Sequence, residues 1–473
     1  MNAGALIEEV FQKHKDQVFW SEKDFQRSYA QVKADLEVVS ALLRPQGVRG
    51  GVWAAHGLRP YQQFLLALDA MQHAWVFAPL SSRYRFDQLS PWLEQVPLQG
   101  YWQGLEGDDQ DPQRVFVESL RHVPQLTEPS VKDEVPDESA LVLFSSGSTG
   151  RPKAIVHGVQ SLSVSARETL RFYGAETGDC WLLSLDISHI GGFQILWRCF
   201  LGGLTVVAAY APHQIEAALL EQTLHFLSLV PTQVSRLLEH ENIEERMRSV
   251  KAVLLGGAAS SASLLRTLEA RAWPVSVTYG ATEAASQVSA FPAGVYPKQE
   301  GEVGELLAHW EAELRGERLL LKGPSACLGW WQERQFIRPE AGAQTWCSPD
   351  RACMSRRSLQ ILGRADQVFQ VAGENLDPRE VLVPLAELSR AGDWVLLAQA
   401  DEVYGKIPIL IFRGPQPPPS RELLEDIWQK TLPRLKYPRA CYWHKSEDQL
   451  KPSQSYYESA LRDGLLECVW TRS

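Results

Sequence analysis

Residues 141–153 read Leu-Val-Leu-Phe-Ser-Ser-Gly-Ser-Thr-Gly-Arg-Pro-Lys, an apolar run that enters small and hydroxylated residues and closes on a lysine. Ser145, Ser146, Gly147, Ser148, Thr149 and Gly150 let backbone N–H groups face a polyanion, the hydroxyls add donors, and Lys153 adds a positive charge. This chemistry suits the β- and γ-phosphates of a nucleotide. The plainer alternative is a polar turn, since Ser/Gly/Thr clusters are common in loops. The pattern is not a Walker A loop, which needs G-x-x-x-x-G-K-[ST]. Nor is it a nucleophile elbow, because G-x-S-x-G would need glycine where Ser146 stands. Gly256, Gly257 and Ala258 follow a second apolar run, so the backbone there can pass close to a flat ligand. Arg198 sits in the mostly apolar stretch 195–201, where a guanidinium is costly unless paired. Its partner is either a neighbouring Asp or Glu or a carboxylate of the substrate.

Residues of this kind need a scaffold, and the sequence between 140 and 290 supplies one. Apolar runs at 141–144, 181–185, 204–209, 226–230, 253–255 and 275–279 read as buried strands. Helix-like patterns at 160–172, 215–220 and 232–238 lie between several of them, the alternation of a mostly parallel, doubly wound sheet. Residues 1–120 show a weaker version, with a turn at 47–51 and a helix at 62–74, and short strand signals over 303–321 read as a β-rich segment. Past Gly363 the texture changes to strands at 368–371, 394–398 and 407–412, helices at 378–388 and 421–432, and a proline-rich loop at 414–420. The expected fold is α/β: a large N-terminal domain (1–363) of mostly parallel sheets with flanking helices plus a β-rich subdomain, then a small α+β C-terminal domain (364–473).

Composition narrows the function classes. The 473 residues carry 47 basic and 57 acidic side chains, a formal net charge of −10, and no dense Lys/Arg block. That balance argues against a nucleic-acid binder and against an anionic-membrane binder. No apolar run approaches the roughly 18 residues a membrane span needs. The first 17 residues mix Glu8, Glu9, Lys13, Lys15 and Asp16 and so read as a helix, not a signal peptide. Seven cysteines without C-x-x-C spacing suit reduced thiols in the cytoplasm better than a disulfide frame or a zinc site.

The 145–153 loop resembles the signature loop of the adenylate-forming superfamily of acyl-CoA ligases, luciferases and peptide-synthetase adenylation domains. Three further segments resemble that family's motifs in its order: Thr278-Tyr-Gly-Ala-Thr-Glu283, Trp346-Cys-Ser-Pro-Asp350 and Gly363-Arg-Ala-Asp366. Within it, Trp181-Leu-Leu-Ser-Leu, His189-Ile-Gly-Gly, Leu196-Trp-Arg198, Leu229-Val-Pro-Thr-Gln233, Lys251-Ala-Val-Leu-Leu-Gly-Gly-Ala258 and Ala372-Gly-Glu-Asn375 resemble the o-succinylbenzoate–CoA ligase family of menaquinone and phylloquinone biosynthesis. The resemblance implies ATP, Mg²⁺ and CoA, an acyl-adenylate intermediate, a mobile C-terminal domain, and small-molecule partners only. A homodimer is compatible with it.

It also implies roles. Ser148, Thr149 and Lys153 would hold the β- and γ-phosphates, Thr282 the α-phosphate, and Glu283 the Mg²⁺, with an ordinary surface carboxylate as the alternative for Glu283. Gly256, Gly257 and Ala258 would wall the adenine, Tyr279 would stack on the base with Gly280 also binding ATP, Asp350 would accept both ribose hydroxyls, and Arg364 would reach the ribose or phosphate. Arg198, Ser286 and Gln287 would contact the acid substrate. His189 falls at a pocket-gating position, with a satisfied core histidine as the other reading. Asp366 would be the hinge and Gly373 would line the CoA tunnel.

Departures from the family pattern are also present. Pro349 precedes Asp350 where the family has Gly or Arg, and Gly191 stands where the subfamily has Ser. A late Gly-Lys is absent; Ser455 or Tyr456 falls near that lysine's place and Lys451 is the lysine close by. Three functions follow: o-succinylbenzoate–CoA ligation with Lys451 reaching the site, CoA ligation of another aryl or short acyl acid, or nucleotide binding with impaired adenylation.

Overall fold

Apolar runs without alternation become strands covered on both faces: Phe226–Leu229 and Ala252–Leu255 are buried at every position. The computed structural model describes residues 2–23, 25–48, 50–82, 89, 92–104, 135–145, 153–208, 214–333, 335–339, 342–367, 369–371, 374–385, 388, 393–401, 405–429, 432–446 and 454–471. The fold is mixed α/β, and among the described residues it is built on two large sheets, a four-stranded sheet and a two-stranded one.

In a thirteen-stranded sheet, Val275–Ala281, Ala252–Leu255, Phe226–Leu229, Cys180–Leu182, Thr205–Val207 and Val18–Glu22 run parallel in that spatial order. Beyond Val275–Ala281 the pairing turns antiparallel through Ser286–Ala290, Glu302–Leu306, Ser358–Arg364 and Thr345–Ser355. This antiparallel arm is the expected β-rich segment, and it extends well past residue 321. A seven-stranded sheet holds Ser139–Ser145 between Val76–Leu80 and its own return strand, Lys153–Gly158. The strand that ends at Ser145 therefore belongs to one sheet and the strand that leads into Thr282 and Glu283 to the other.

Two helices fill the angle between these sheets. Val159–Phe172 buries a row of hydroxyls (Ser161, Ser163, Ser165, Thr169), and Ile190–Gly202 is apolar on nearly all sides and ends at Gly203 in the left-handed region. Trp197 Nε1 donates to Ser163 Oγ at 3.3 Å across their contact.

After residue 368 the hydrophobic contacts close on themselves: two clusters, from Phe369 to Cys441 and from Leu397 to Leu466, draw on no residue before 369. They cover a four-stranded sheet of Asp393–Asp401, Gly405–Gly414, Ala440–Lys445 and Glu467–Thr471. The helix expected over 378–388 ends at Leu382; Val383 keeps right-handed helical dihedrals, φ −60° and ψ −44°, but Pro384 lacks the N–H that would continue the ladder. Strand 181–185 likewise stops at Leu182, after which the chain leaves the sheet toward the Arg198 helix. Among the described residues no helix is long and apolar enough to cross a membrane. All seven cysteines are free thiols.

Candidate active site

The Val275–Ala281 strand delivers a short 3₁₀ turn, Thr282–Ala284, and the chain then folds back as Ser286–Ala290. Gly280 is required for this closure, since a Cβ there would collide with the Ser286 carbonyl oxygen. That is a structural duty beside the expected nucleotide contact. Gly257, at φ 78°, turns the chain out of the neighbouring Ala252–Leu255 strand, as the flat-ligand wall expected at 256–258 needs.

Burial pushes the Glu283 carboxyl up, while the charges of Lys153 and Arg364 pull it down. Lys153, from the seven-stranded sheet, also lies with its ammonium 5.2 Å from the Trp330 ring centre. Asp350 and Arg364 face each other across paired strands. The Tyr279 hydroxyl donates to Asp350 Oδ2 at 2.5 Å, the Ser348 hydroxyl donates to the same oxygen at 3.0 Å, and the Asp350 N–H donates back to Ser348 Oγ at 3.0 Å. Ser348 thus braces the strand through Pro349. Tyr279 serves here as a donor to Asp350, a contact the expectation of a stacking ring did not contain.

The other end of the site is built around Arg198, on the helix Ile190–Gly202 and only 2% exposed. Its Nη2 donates to Ser286 Oγ at 3.0 Å, its guanidinium carbon lies 5.5 Å from the Trp181 ring centre, and its Nε has no partner. Among the described residues no carboxylate pairs with it, which removes the salt-bridge reading there. Burial lowers its pKa to about 10, so it stays a cation at neutral pH.

Gln287 departs from expectation. It is buried, its Oε1 accepts from Thr169 Oγ1 at 2.8 Å, and its Nε2 donates to Tyr173 Oη at 3.0 Å and Thr278 Oγ1 at 2.9 Å. An amide engaged at both ends ties the strand Ser286–Ala290 to the helix Val159–Phe172. His189 is exposed at the N-cap of the Arg198 helix, so the core-histidine reading falls away.

Ser145 ends its strand opposite Lys153. Ser146, Gly147, Ser148, Thr149, Gly150, Gly373 and Lys451 lie outside the described residues, and Asp366 lies in the 3₁₀ turn Ala365–Gln367.

Four polar groups that hold the 282–286 turn were not singled out from sequence. His157 Nε2 donates to the Thr282 carbonyl at 2.7 Å, and the Cys327 N–H to that of Glu283 at 2.8 Å. The Ala285 carbonyl accepts from Ser165 Oγ at 2.7 Å and Gln194 Nε2 at 3.0 Å. One clue was available: Gln194 is a polar residue in an apolar helix, one turn before Arg198.

A family model described as AMP-binding enzyme matches residues 7–324, and the chain belongs to that family. The 2-succinylbenzoate–CoA ligase of Haemophilus influenzae is 32% identical over 307 residues, covering 64% of this chain and 66% of that protein. The enzyme of the same name from Escherichia coli is 32% identical over 279 residues, covering 58% and 59%. The matched stretches thus cover less than two thirds of the length of these relatives. Escherichia coli MenE with a bound phenylether-linked analogue of OSB-AMS superposes at a TM-score of 0.72 and 24% identity, over 98% of this chain and 100% of that one. The Bacillus subtilis o-succinylbenzoate CoA synthetase in complex with OSB-AMP gives 0.77 and 20%, over 95% and 98%. Both likenesses establish the fold.

Proposed function

We propose that this chain ligates o-succinylbenzoate to CoA in two steps, as an enzyme of menaquinone or phylloquinone biosynthesis. In the first, a substrate carboxylate oxygen attacks the α-phosphorus of ATP, the bond to the β-phosphate oxygen breaks, and pyrophosphate leaves. In the second, the CoA sulfur attacks the acyl carbon, the thiol proton is lost, and AMP leaves. The observation that carries the reading is Arg198, a buried cation without a carboxylate partner among the described residues, joined through Ser286 to the Thr282–Glu283 turn. A dicarboxylic acid can present one carboxylate for activation and the other to this guanidinium; a monocarboxylic acid leaves it unpaired. The names of the two relatives point to the same substrate.

The protein's own work in adenylation is alignment and charge neutralisation. Lys153 and the 145–150 loop would take the β- and γ-phosphates, Thr282 would donate to the α-phosphate, and Asp350 would accept from the ribose hydroxyls. No cluster of three or more His, Cys, Asp or Glu among the described residues could hold a metal alone, which fits an ion held by one carboxylate, Glu283, together with phosphate oxygens and water. Mg²⁺ bound there would supply charge neutralisation at the phosphates.

The domain division at 363/364 belongs to the same proposal, supported by the separate hydrophobic clusters. Asp366 would be the pivot and Gly373 would line the CoA tunnel, with Asp366→Pro slowing thioester formation while sparing adenylation. Lys451 would reach the substrate carboxylate, and Lys451→Ala should slow adenylation. The cytoplasm, where free thiols persist, is the matching compartment.

Pyrophosphate release from ATP and Mg²⁺ tests the reading, with o-succinylbenzoate set against benzoate and a medium-chain fatty acid, with and without CoA. Release that requires o-succinylbenzoate and yields its CoA thioester is expected. Release with another acid would overturn the substrate, and binding of ATP without release would favour the impaired relative.

A further inference from the structure

The strand that ends at Ser145 belongs to the seven-stranded sheet and the strand that leads into Thr282 and Glu283 to the thirteen-stranded one. In-line attack needs groups from both held at fixed separation, because small misplacements are costly in the transition state. Close packing sets the separation of the two sheets broadly, and a direct hydrogen bond from one to the turn of the other, at 2.7 Å, adds a fixed distance at this point.

We propose that His157 is the positioning residue that sets this separation for adenylation, through the bond from its Nε2–H to the Thr282 carbonyl. The inference rests on the ligase reading above. His157 lies in the same strand as Lys153, four residues on, so both project from one face of the strand. Lys153 and the grip on Thr282 are thus offered by a single rigid element.

The hydrogen bonding fixes the state of the ring. A carbonyl only accepts, so Nε2 carries the proton. Nδ1 is then an acceptor beside Ser161 Oγ, 3.1 Å away, whose single hydroxyl hydrogen is shared between Nδ1 and the Gly158 carbonyl at 3.0 Å. With both nitrogens engaged and the residue fully buried, the imidazole has one orientation. Burial holds it neutral, with a pKa near 4, so it is a donor of constant charge and not a proton shuttle at working pH.

The turn needs such a grip. Ala285 and Ser286 both adopt left-handed backbone, at φ 51° and φ 102°, which side chains with a Cβ rarely do. Strain of this kind persists only when the surroundings over-determine it. Here the carbonyls of Thr282, Glu283 and Ala285 are each captured by protein donors. Two of those donors, His157 Nε2 and the Cys327 N–H, come from the side of the seven-stranded sheet. Of these, His157 acts on the residue expected to meet the α-phosphate.

The test compares two amides that differ by one methylene. In His157→Gln the side-chain nitrogen can reach the position of Nε2; in His157→Asn it falls short. Pyrophosphate release is measured at saturating ATP and o-succinylbenzoate, with KM for ATP measured separately. His157→Gln is expected within about threefold of wild-type kcat, and His157→Asn to lose about thirtyfold in kcat while KM for ATP moves by less than about threefold. Equal activity of the two variants, or a loss carried entirely by KM, would overturn the proposal. Should His157→Asn not fold, a fall of more than about tenfold in His157→Gln decides against it. The two readings fail separately: wild-type release that needs a different acid overturns the substrate alone, and the variants are then compared with that acid.

Discussion

The two ends of the site solve opposite problems. At the end proposed to take the nucleotide, Asp350 Oδ2 already accepts from Tyr279 and Ser348, and Ser348 is itself braced by the Asp350 N–H. That end is satisfied within the protein and belongs to the fold as much as to the ligand. At the acid end, Arg198 is as buried as a core leucine, yet among the described residues it meets one hydroxyl, an aromatic face and no carboxylate. A buried charge left this way costs stability that a ligand's carboxylate returns on binding. The nucleotide end is prepared by bonds already made, and the acid end by a bond withheld.

Removing each centre should therefore move stability in opposite directions. Arg198→Met should lower kcat/KM for o-succinylbenzoate by about a thousandfold, as deletion of one member of a buried charge pair does. Its melting temperature should stay level or rise, since a desolvated charge is gone. A large fall in melting temperature would erase the contrast. Asp350→Ala should raise KM for ATP by about thirtyfold and also lower the melting temperature, because the Tyr279 and Ser348 hydroxyls lose their shared acceptor and keep only each other, 3.0 Å apart. Ser348→Ala should raise KM for ATP by about fivefold, the value of one positioning bond, and leave the response to the acid unchanged.

The smallest effect is on pH. The folded pKa of His157 is near 4, below the ordinary value of 6.5 that the unfolded chain shows. Above pH 6.5 the ring is neutral in both states and contributes no pH dependence. As pH falls from 6.5 toward 4, the unfolded state takes up a proton that the folded state does not, so stability drops by about 1 kcal/mol per pH unit. Melting curves over that window should be steeper in pH for the wild type than for His157→Gln.

What the sequence showed and what it hid divide along the same line. The strand running into Ser145, the strand delivering Thr282 and Glu283, and Arg198 in its apolar helix were legible because each is a local signal: an apolar run that closes on polar residues, or a cation among apolar ones. The partners were not. His157 meets Thr282 across 125 residues and Gln194 meets Ala285 across 91, separations over which no local pattern reports. Gln287, beside the motif, read as a ligand contact but faces Thr169, Tyr173 and Thr278, because neighbours on a strand point to opposite sides. Tyr279 kept its place but gained a task, since the direction of a phenol is set by Asp350 on a strand 71 residues away.

The central claim is that Arg198 waits for a substrate carboxylate. The most direct test is kcat/KM of the wild-type protein for o-succinylbenzoate against the analogue whose non-reacting carboxylate is a carboxamide. A loss of about a hundredfold or more for the amide is predicted, with the difference collapsing in Arg198→Met. Amide and acid used within about threefold of each other would contradict it.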